Sequence, residues 1–314
     1  MLRFLIRRLG FLALTMLLTS LIIFIITQYL PGDVARVILG REASETSVQA
    51  LREELGLNRP LPTQYVTWLG QFVSGEWGKS YSTELPVRPL VVERLGNSLM
   101  LACLTLIFAV PLAVGLGVLA GLHENSWLDN LISVASLSVV GLPEFVTGVL
   151  LIELFAFQLH LLPSSSSIAP GTGFVEALPS LVLPAATASL VLLAYVARLT
   201  RAGVSEELKT AYVRTALFKG LPWRTVIARH VLRNALLPAI TVTAISLGWL
   251  ISGLVVVENV FNYPGLGRLL IFAIDRRDLP LLQAIGLVSA LGFTLANLAA
   301  DLLYAYLNPR IRLS

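Results

Sequence analysis

The chain has 314 residues, of which 56% are hydrophobic and 13% are charged, and its mean hydropathy is +0.79. Because a soluble domain carries roughly 25% charged residues, this composition excludes an ordinary soluble protein and predicts a polytopic membrane protein. Cys103 is the only cysteine, so an intramolecular disulfide framework is excluded as well. The net charge of +4 is small, and the placement of the charges is more informative than their sum.

The first apolar run extends from Leu9 to Leu30 and follows the basic residues Arg3, Arg7 and Arg8. A secretory signal peptide has a shorter apolar core, of roughly 7–15 residues, and ends in a small-residue cleavage site that this run lacks. We therefore expect a first transmembrane helix here rather than a cleaved signal peptide.

A spanning helix needs about 20 mostly apolar residues, and six windows of the sequence meet this requirement. They are Leu9–Leu30, Leu95–Leu122, Leu131–Leu159, Leu178–Val196, Leu236–Val257 and Leu281–Leu307. Turn-forming residues separate them, including Pro31–Asp33 after the first window and the stretch HLLPSSSSIAPGTG after the third. The sequence thus predicts an all-α polytopic membrane protein with six transmembrane helices.

Lysine and arginine residues concentrate in loops that six spans would place on one side of the membrane. The basic residues on that side are Arg3, Arg7, Arg8, Arg198, Arg201, Lys209, Arg214, Lys219, Arg224, Arg229, Arg233, Arg310 and Arg312. Because cytoplasmic loops carry such an excess, the sequence predicts cytoplasmic N and C termini. The predicted organisation is a tail and first helix at 1–30, an external segment at 31–94 and a five-helix transmembrane core at 95–314, with a cytoplasmic loop at 198–235.

The external segment contains helical patterns of its own. Val48, Leu51 and Leu55 are spaced as on one helix face, Gly56 suits a C-cap, and a second apolar stretch follows at Tyr65–Phe72. We expect one or two short helices that lie over the outer mouth. The sequence leaves open whether they form a docking or lid surface or a structural cap.

Features that would indicate catalysis or a bound cofactor fail on spacing. The stretch Gly75–Ser80 (GEWGKS) ends like a phosphate-binding loop, but Val73 stands where the Walker pattern needs its first glycine. His123, His160 and His230 lie in different loops and give no metal-ligand spacing. The basic cytoplasmic loop lacks interleaved aromatic residues, which argues against nucleic-acid binding. The sequence therefore predicts a non-enzyme with no metal, no cofactor of its own and no nucleic-acid partner.

The stretch YVRTALFKGLPWRTVIARHVLRNALLP, Tyr212–Pro238, joins the fourth and fifth windows. The residues from Thr210 to Lys219 favour a helix. Gly220 then ends this helix, and Pro222 opens a second one that is expected to run straight into the fifth span. Such an arrangement would pass a push from a docked partner into the bilayer; the alternative is a basic anchor for anionic headgroups. Charge alone favours the anchor, but an anchor does not require the Gly-Leu-Pro break.

This stretch resembles the cytoplasmic loop of ABC-importer permeases of the dipeptide/oligopeptide/nickel group, which carries the pattern R-T-A-x-x-K-G. The matching residues are Arg214, Thr215, Ala216, Lys219 and Gly220. Further motifs of the group follow one another along nearly the whole chain, namely LPGD, LREELGLNRPLPTQYVTWL, GLPEF, VVVENVFNYPGLGRLL and NLAADLLYAYLNPRIR. The residues that depart from the group's usual pattern are Val34, Gly96, Asn97 and Asn308.

The resemblance implies the first, B-type, permease subunit of an ATP-driven importer in the bacterial inner membrane. The five matching residues would form the coupling helix that seats in a groove of an ATPase, and alternating access would carry small peptides across. The implied partners are a second homologous permease, two ABC ATPases that hold ATP and Mg, an external substrate-binding protein and membrane lipid. Nickel or metal-chelate uptake by the same kind of subunit is the first alternative, and a membrane scaffold without transport is the second. A stand-alone channel or ion-coupled carrier would not need an ATPase-docking loop.

Polar residues inside the predicted spans are functional candidates, because a charge at the bilayer centre costs at least about 2.5 kcal/mol. Glu144, in the third window, would either line the translocation path or form an outer-leaflet or interhelical pair, and the pair is favoured. Asn297 and Asp301 are four residues apart on one face of the sixth window, where Asp301 is expected to pair with Asn297 or a nearby arginine. Glycines that suit close helix packing in the second window are Gly115, Gly117 and Gly121.

Overall fold

The computed structural model describes residues 2–28, 34–40, 43–54, 56–168 and 172–307. Predictions for Pro31–Asp33, Leu55, Asn308, Arg310 and Arg312 lie outside these residues. Fifteen helices account for most of the described chain. They are α1 Leu2–Gln28, α2 Val34–Leu39, α3 Glu45–Glu54, α4 Leu61–Ser74, α5 Val87–Leu122, α6 Trp127–Gly141, α7 Glu144–Ile152, α8 Phe174–Leu208, α9 Ala211–Phe218, α10 Trp223–Val226, α11 Leu232–Ala235, α12 Leu237–Gly253, α13 Val255–Val260, α14 Leu266–Arg276 and α15 Leu279–Leu307.

Other regular structure is sparse in the described ranges. Two π-helical turns, Glu153–Gln158 and Ile227–Val231, follow α7 and α10. Strand-like pairing in these ranges is limited to one antiparallel bridge between Lys79 and Pro86. The predicted all-α class is therefore confirmed.

Four helices are long and apolar enough to cross a membrane without interruption. They are Ile6–Gln28 within α1, Val87–Leu122, Val175–Leu208 within α8 and Leu279–Leu302 within α15. Two bent pairs raise the number to six if each pair is one span: α6 with α7 and its π turn, and Trp223–Ala235 with the first part of α12. Each of the six predicted windows overlaps one of these helices or pairs, and the membrane-spanning class is confirmed.

The third predicted span, Leu131–Leu159, is not one straight helix. α6 ends at Gly141 and α7 begins at Glu144, and the two segments are bent by 105°. Leu142 between them has extended backbone angles, φ −93° and ψ 135°. Pro143 explains the break, because proline lacks the N–H that would continue a helix and disfavours helical angles in the residue before it.

The cytoplasmic loop does not run straight into the fifth span, so that prediction is wrong. Trp223–Ala235 and the helix that follows are bent by 46°. The π turn Ile227–Val231 interrupts the regular helical ladder ahead of the bend. Pro238 lies in the first turn of α12, where a missing N–H costs nothing, so a new helix begins there. The loop therefore meets the span at an angle.

The described chain divides into two compact units, residues 1–98 with 264–294 and residues 99–263 with 295–314. The core of the first unit joins the start of α5 to α14 and the start of α15. The core of the second unit joins α5, α8 and α12 and includes the fully buried rings of Phe261 and Tyr263.

Short helices in the external segment confirm and extend the prediction. α3 has the expected glycine cap: Gly56 has φ +67°, its N–H donates to the Glu53 carbonyl at 3.0 Å, and the Leu57 N–H donates to the Arg52 carbonyl at 2.9 Å. α4 follows as the second predicted helix. The described residues contain three short helices here rather than one or two, because α2 was not predicted.

The helix α4 lies against α1 through polar and aromatic contacts. The hydroxyls of Ser20 and Tyr65 are 2.8 Å apart. The rings of Tyr65 and Trp68 lie 5.4 and 5.7 Å from the ring of Phe24. Aromatic pairs at such distances stabilise beyond their buried area, so α4 is fixed on the first membrane helix.

In the second unit α5 and α8 approach each other closely through two of the predicted glycines. A Cβ atom on Gly117 would lie 2.5 Å from the Thr200 Cβ, and one on Gly121 would lie 2.7 Å from the Val204 Cβ. These positions therefore permit a helix contact that larger residues would block. A Cβ on Gly115 would meet nothing within 4 Å, so Gly115 takes no part in the contact.

Candidate functional site

The predicted coupling helix corresponds to α9, Ala211–Phe218, and a glycine defines its end. Gly220 has φ +76°, and its N–H donates to the Leu217 carbonyl at 2.9 Å. The Leu221 N–H donates to the Ala216 carbonyl at 3.3 Å, which completes the two bonds of a Schellman cap. The predicted break is thus a helix C-cap in the left-handed conformation, which favours glycine over every other residue.

The second helix of the loop begins at Trp223, directly after the residue predicted to open it. Pro222 has φ −63° and ψ 140° and precedes α10 as its N-cap, and the first helical residue is Trp223. The fixed φ of proline suits this position, since the residue joins the left-handed cap to a new helix without needing an N–H. The Gly-Leu-Pro break therefore has three distinct parts: a cap, a linking residue and a helix start.

One face of α9 is buried within the loop itself. Val213 is 1% exposed and Ala216 is 7% exposed. They belong to an apolar cluster whose other members are Val204, Val226, Ile227, Val231 and Ala235. Ala216, which the resemblance assigned to the ATPase contact, therefore lies inside the loop. It packs α9 against the end of α8 and the helices that follow.

The remaining predicted residues are exposed, either on the opposite face of α9 or directly after its end. These exposed residues are Arg214, Thr215, Lys219 and Gly220. Phe218 lies on the same face, four residues after Arg214 and three after Thr215, and it is 90% exposed. Sequence reasoning missed Phe218. The helical spacing carried the signal, because a helix that buries positions 213 and 216 turns position 218 outward.

Phe218 is the most exposed member of an apolar tip, defined here by four residues. Their exposed fractions are 40% for Leu217, 90% for Phe218, 37% for Leu221 and 49% for Trp223. Phe218 and Leu221 lie outside the candidate spans of the described residues, whereas Trp223 begins one of the bent pairs. Basic residues at positions 214, 219 and 224 surround the tip. An exposed apolar patch with a polar rim is typical of a protein interaction site.

A polar cluster, here called the Tyr212 cluster, fastens α9 to its neighbours. The Tyr212 hydroxyl donates to the Glu207 carboxylate and to the His230 carbonyl, the latter at 3.1 Å. The Asn234 amide donates to the Tyr212 hydroxyl at 3.0 Å and to Glu207 Oε1 at 3.1 Å. Partial burial, and then the bond to Glu207, raise the pKa of Tyr212 above its usual value, so the phenol remains a donor at neutral pH. The cluster joins the end of α8, α9 and α11.

Two ion pairs connect α8 and its C-cap to α6 and to the turn before α6. Arg201 Nε and Nη2 donate to the two carboxylate oxygens of Asp129 at 2.6 and 2.7 Å, and Asp129 is 1% exposed. At the surface Lys209 Nζ lies 2.9 Å from a Glu124 oxygen. Hydrogen bonds from Lys209, and then from Ser205, hold the pKa of Glu124 below its usual value. The buried bidentate pair fixes geometry strongly, whereas the exposed pair contributes little.

The intramembrane candidates lie elsewhere in the second unit. Glu144 occupies the first turn of α7, directly after the Pro143 break, and its Oε1 is buried without a hydrogen-bond partner among the described residues. Asn297 and Asp301 are half-buried and one turn apart on α15. The pairing of Asp301 with Asn297 stays a prediction.

Comparison with known proteins gives the class of this molecule. Residues 113–313 match the family described as "Binding-protein-dependent transport system inner membrane component", and residues 1–102 match the N-terminal family "Binding-prot-dependent transport system membrane comp, N-term". The chain therefore belongs to the family of inner-membrane components of binding-protein-dependent transport systems. Its class is that of a transport component and not of an enzyme, and the multi-pass inner-membrane location is confirmed.

Relatives match over their whole length. The chain is 38% identical over 309 residues to the "Probable peptide ABC transporter permease protein y4tP" of Sinorhizobium fredii, which covers 98% of this chain and 99% of that protein. It is also 38% identical over 312 residues to the "Glutathione transport system permease protein GsiC" of Pectobacterium atrosepticum and of Escherichia coli K12, with 99% of each chain covered. The resemblance inferred from the motifs is thus confirmed. The chain is an ABC-transporter permease subunit, and such subunits act with ATPase and substrate-binding components.

Proposed function

We propose that this chain is one half of a permease heterodimer that imports short peptides, with six spans and both termini in the cytoplasm. The observation that carries the coupling mechanism is the apolar tip of α9. The names of the relatives, which refer to peptide and glutathione transport, support peptides rather than nickel or a metal chelate as the solute.

The conformational change of the ATPases would be transmitted to this chain through α9. Two partner ATPases would bind ATP and Mg, and an external binding protein would deliver the peptide. ATP-driven closure of the ATPases would move α9, and the two permease halves would switch as rigid bodies between inward-open and outward-open states. The second permease half is a homologous subunit in this proposal.

The energetics of the tip support docking to a protein. Complete burial of a phenylalanine side chain contributes about 1.5–3 kcal/mol, and Phe218 is almost fully available for such burial. This contribution corresponds to about a 10- to 150-fold change in a binding constant. The basic rim of Arg214 and Lys219 would steer the tip toward an acidic groove and fix its orientation.

The five residues of the coupling motif take different roles in this mechanism. Arg214, Thr215 and Lys219 would contact the ATPase directly, because their side chains share the exposed face with the tip. Gly220 would set the direction in which the chain leaves α9. Ala216 would hold α9 at a short distance from the helices beneath it.

The test compares two serine substitutions in the assembled transporter. Phe218→Ser removes the centre of the tip, and Val66→Ser removes a side chain of α4 that is 67% exposed, as a matched control. We expect Phe218→Ser to lose most of the co-purified ATPase and of ATP-dependent peptide uptake while membrane insertion is unchanged. Val66→Ser should behave as wild type. Normal ATPase recovery and uptake by Phe218→Ser would refute the docking role of the tip.

Alternatives to peptide import have their own outcomes in the same experiment. ATPase recovery without any ATP-dependent uptake by the complete system would favour the scaffold. Uptake of nickel in place of peptides would favour the metal-chelate alternative. A C-terminal reporter that is active only outside the cytoplasm would contradict the orientation.

Glu144 is the candidate for the translocation path within this chain. Its buried Oε1 lacks a partner among the described residues, so a substrate amine would find an unused acceptor there. On this reading Glu144→Gln lowers peptide uptake while ATPase co-purification stays normal. Unchanged uptake would assign Glu144 to the structure of the bent span.

A further inference from the structure

A cleft of about 680 Å³ opens in the first unit, away from the coupling helix. Its walls come from the external segment, the end of α1 and the start of α15. Sites for small molecules occupy roughly 300–1,000 Å³, so the volume suits a small solute. Trp68, Trp77 and Tyr81 supply aromatic surface, and the charged residues of its described lining are Arg59, Glu76 and Lys79.

One wall is the stretch GEWGKS, which lacks the spacing of a phosphate-binding loop. Gly78 has φ +74°, which allows the chain to turn sharply between Trp77 and Lys79. The Trp77 ring stacks on Phe72 with 4.7 Å between centroids and 5° between planes, and its indole N–H donates to the Phe72 carbonyl at 2.9 Å. This wall therefore presents a fixed aromatic face next to a lysine.

The buried carboxylate of Asp278 holds the same loop in place through hydrogen bonds. Asp278 is 0% exposed and accepts from the Ser80 hydroxyl at 2.5 Å and from the Ser82 N–H at 3.0 Å. Burial, and then the nearby Asp278 charge, raise the pKa of Tyr81, a lining residue of the cleft, to about 12, so its phenol is neutral at physiological pH. The anchoring leaves Lys79, which is exposed, as the cation of this wall.

The facing wall is held by one glutamine. Gln64 donates to the carbonyl of Leu57 at 3.0 Å and to that of Arg59 at 2.7 Å, and it accepts from Gln28 at 3.1 Å. The loop that bears Arg59 is thus fastened to α4 and to the end of α1. Both walls are therefore built before any ligand arrives, which lowers the entropic cost of binding.

We propose that this cleft binds a short peptide through its C-terminal carboxylate, an inference that rests on the proposed peptide import. Arg59 and Lys79 give the described lining two cations against the anion Glu76, and neither cation forms an ion pair with a described residue. A carboxylate is the charge that such a lining favours. The aromatic walls accommodate an apolar side chain of the peptide. On the proposed orientation the cleft faces the compartment in which the peptide is delivered.

The test measures trialanine binding to the ATP-free permease–ATPase complex in lipid nanodiscs, without the binding protein, by equilibrium dialysis. Trialanine amide, which lacks the terminal carboxylate, is the second probe. We expect saturable binding of trialanine and about fivefold weaker binding of the amide, as an ion pair worth about 1 kcal/mol gives. Lys79→Gln should remove this preference. Arg88→Gln, which neutralises an exposed cation of the same unit outside the lining, should retain it.

Several outcomes would overturn the proposal. These are the absence of saturable binding, an unchanged preference in Lys79→Gln, and an equal loss in Arg88→Gln. Phospholipid that co-purifies with wild type, is released by Lys79→Gln and is not displaced by trialanine would also overturn it. ATP-dependent uptake by the complete transporter separates this result from the proposed function, because normal peptide uptake without cleft binding refutes only the cleft.

Discussion

Gly220 offers the sharpest test of the proposed coupling, because the structure separates backbone strain from steric bulk at this position. Its φ of +76° is disfavoured for residues with a side chain, at a cost of about 1–2 kcal/mol. A Cβ atom at this site would meet nothing within 4 Å, so bulk adds no clash. Relaxing the backbone instead would break two cap hydrogen bonds, each worth about 0.5–1.5 kcal/mol. Breaking both bonds would cost about 1–3 kcal/mol, so the strained backbone is the route of lower cost and leaves the cap about 1–2 kcal/mol weaker.

This cost corresponds to about a 5- to 30-fold smaller fraction of molecules in which α9 keeps its native cap and direction. We expect Gly220→Val and Gly220→Ala to reduce ATPase co-purification and ATP-dependent uptake to a similar extent. Gly220→Asn should retain more of both, since asparagine tolerates the left-handed conformation. All three should insert into the membrane normally. Full uptake by Gly220→Val, or losses that follow side-chain size instead of left-handed tolerance, would refute the reasoning.

Three further substitutions test the contacts around α9 and the helix packing. Tyr212→Phe removes a hydroxyl bonded to Glu207 and His230, so uptake should fall while ATPase binding persists; a fall in ATPase binding would contradict a purely transmitting role. Asp129→Ala leaves the Arg201 cation without its partner and should lower the free energy of unfolding by about 3 kcal/mol. This is the lower end of the range for a broken buried pair, because Arg201 is 31% exposed. Thermal melting of the purified complex measures the loss. Gly117→Leu should lower the free energy of unfolding by about 1–3 kcal/mol or more, because the larger side chain overpacks against Thr200. Gly115→Leu is the neutral control in the same melting assay.

The spans were predictable where a helix is uninterrupted and less so where the chain bends within a span. Hydropathy locates α1, α5, α8 and α15, since about 20 apolar residues leave few alternatives in a membrane. It does not register the 105° bend of the third window, although Pro143 was present in the sequence. A hydropathy window averages over composition, so it does not distinguish Pro143, where the helix breaks, from Pro111 inside the unbroken α5. The 46° bend before α12 also escaped prediction, because hydropathy does not register a change in helix direction.

The coupling helix was predictable in its ends but not in its faces. Gly220 and Pro222 predict the break between the two helices, because the backbone conformation that each residue favours depends on local sequence alone. The burial of Ala216 and the exposure of Phe218 depend on which side of α9 meets the later helices. The family pattern places Ala216 with the exposed residues, because a motif records positions and not directions. The external cleft could not be predicted at all, since Asp278 closes on Ser80 from 198 positions along the chain.

Contacts within the second unit give a physical reason for a push on α9 to move more than α9. Its buried face shares a cluster with α10 and α11, and the Tyr212 cluster adds the end of α8. α8 in turn contacts α11 so closely that a Cβ atom on Gly203 would overlap the Ala235 carbonyl. The pair of Arg201 with Asp129 then extends the connection to α6. Because close-packed interfaces shift between discrete arrangements rather than deform continuously, a docked ATPase would displace the ends of these helices together. On the proposed mechanism, the 46° bend between α11 and α12 would be the place where this motion changes direction into the fifth span.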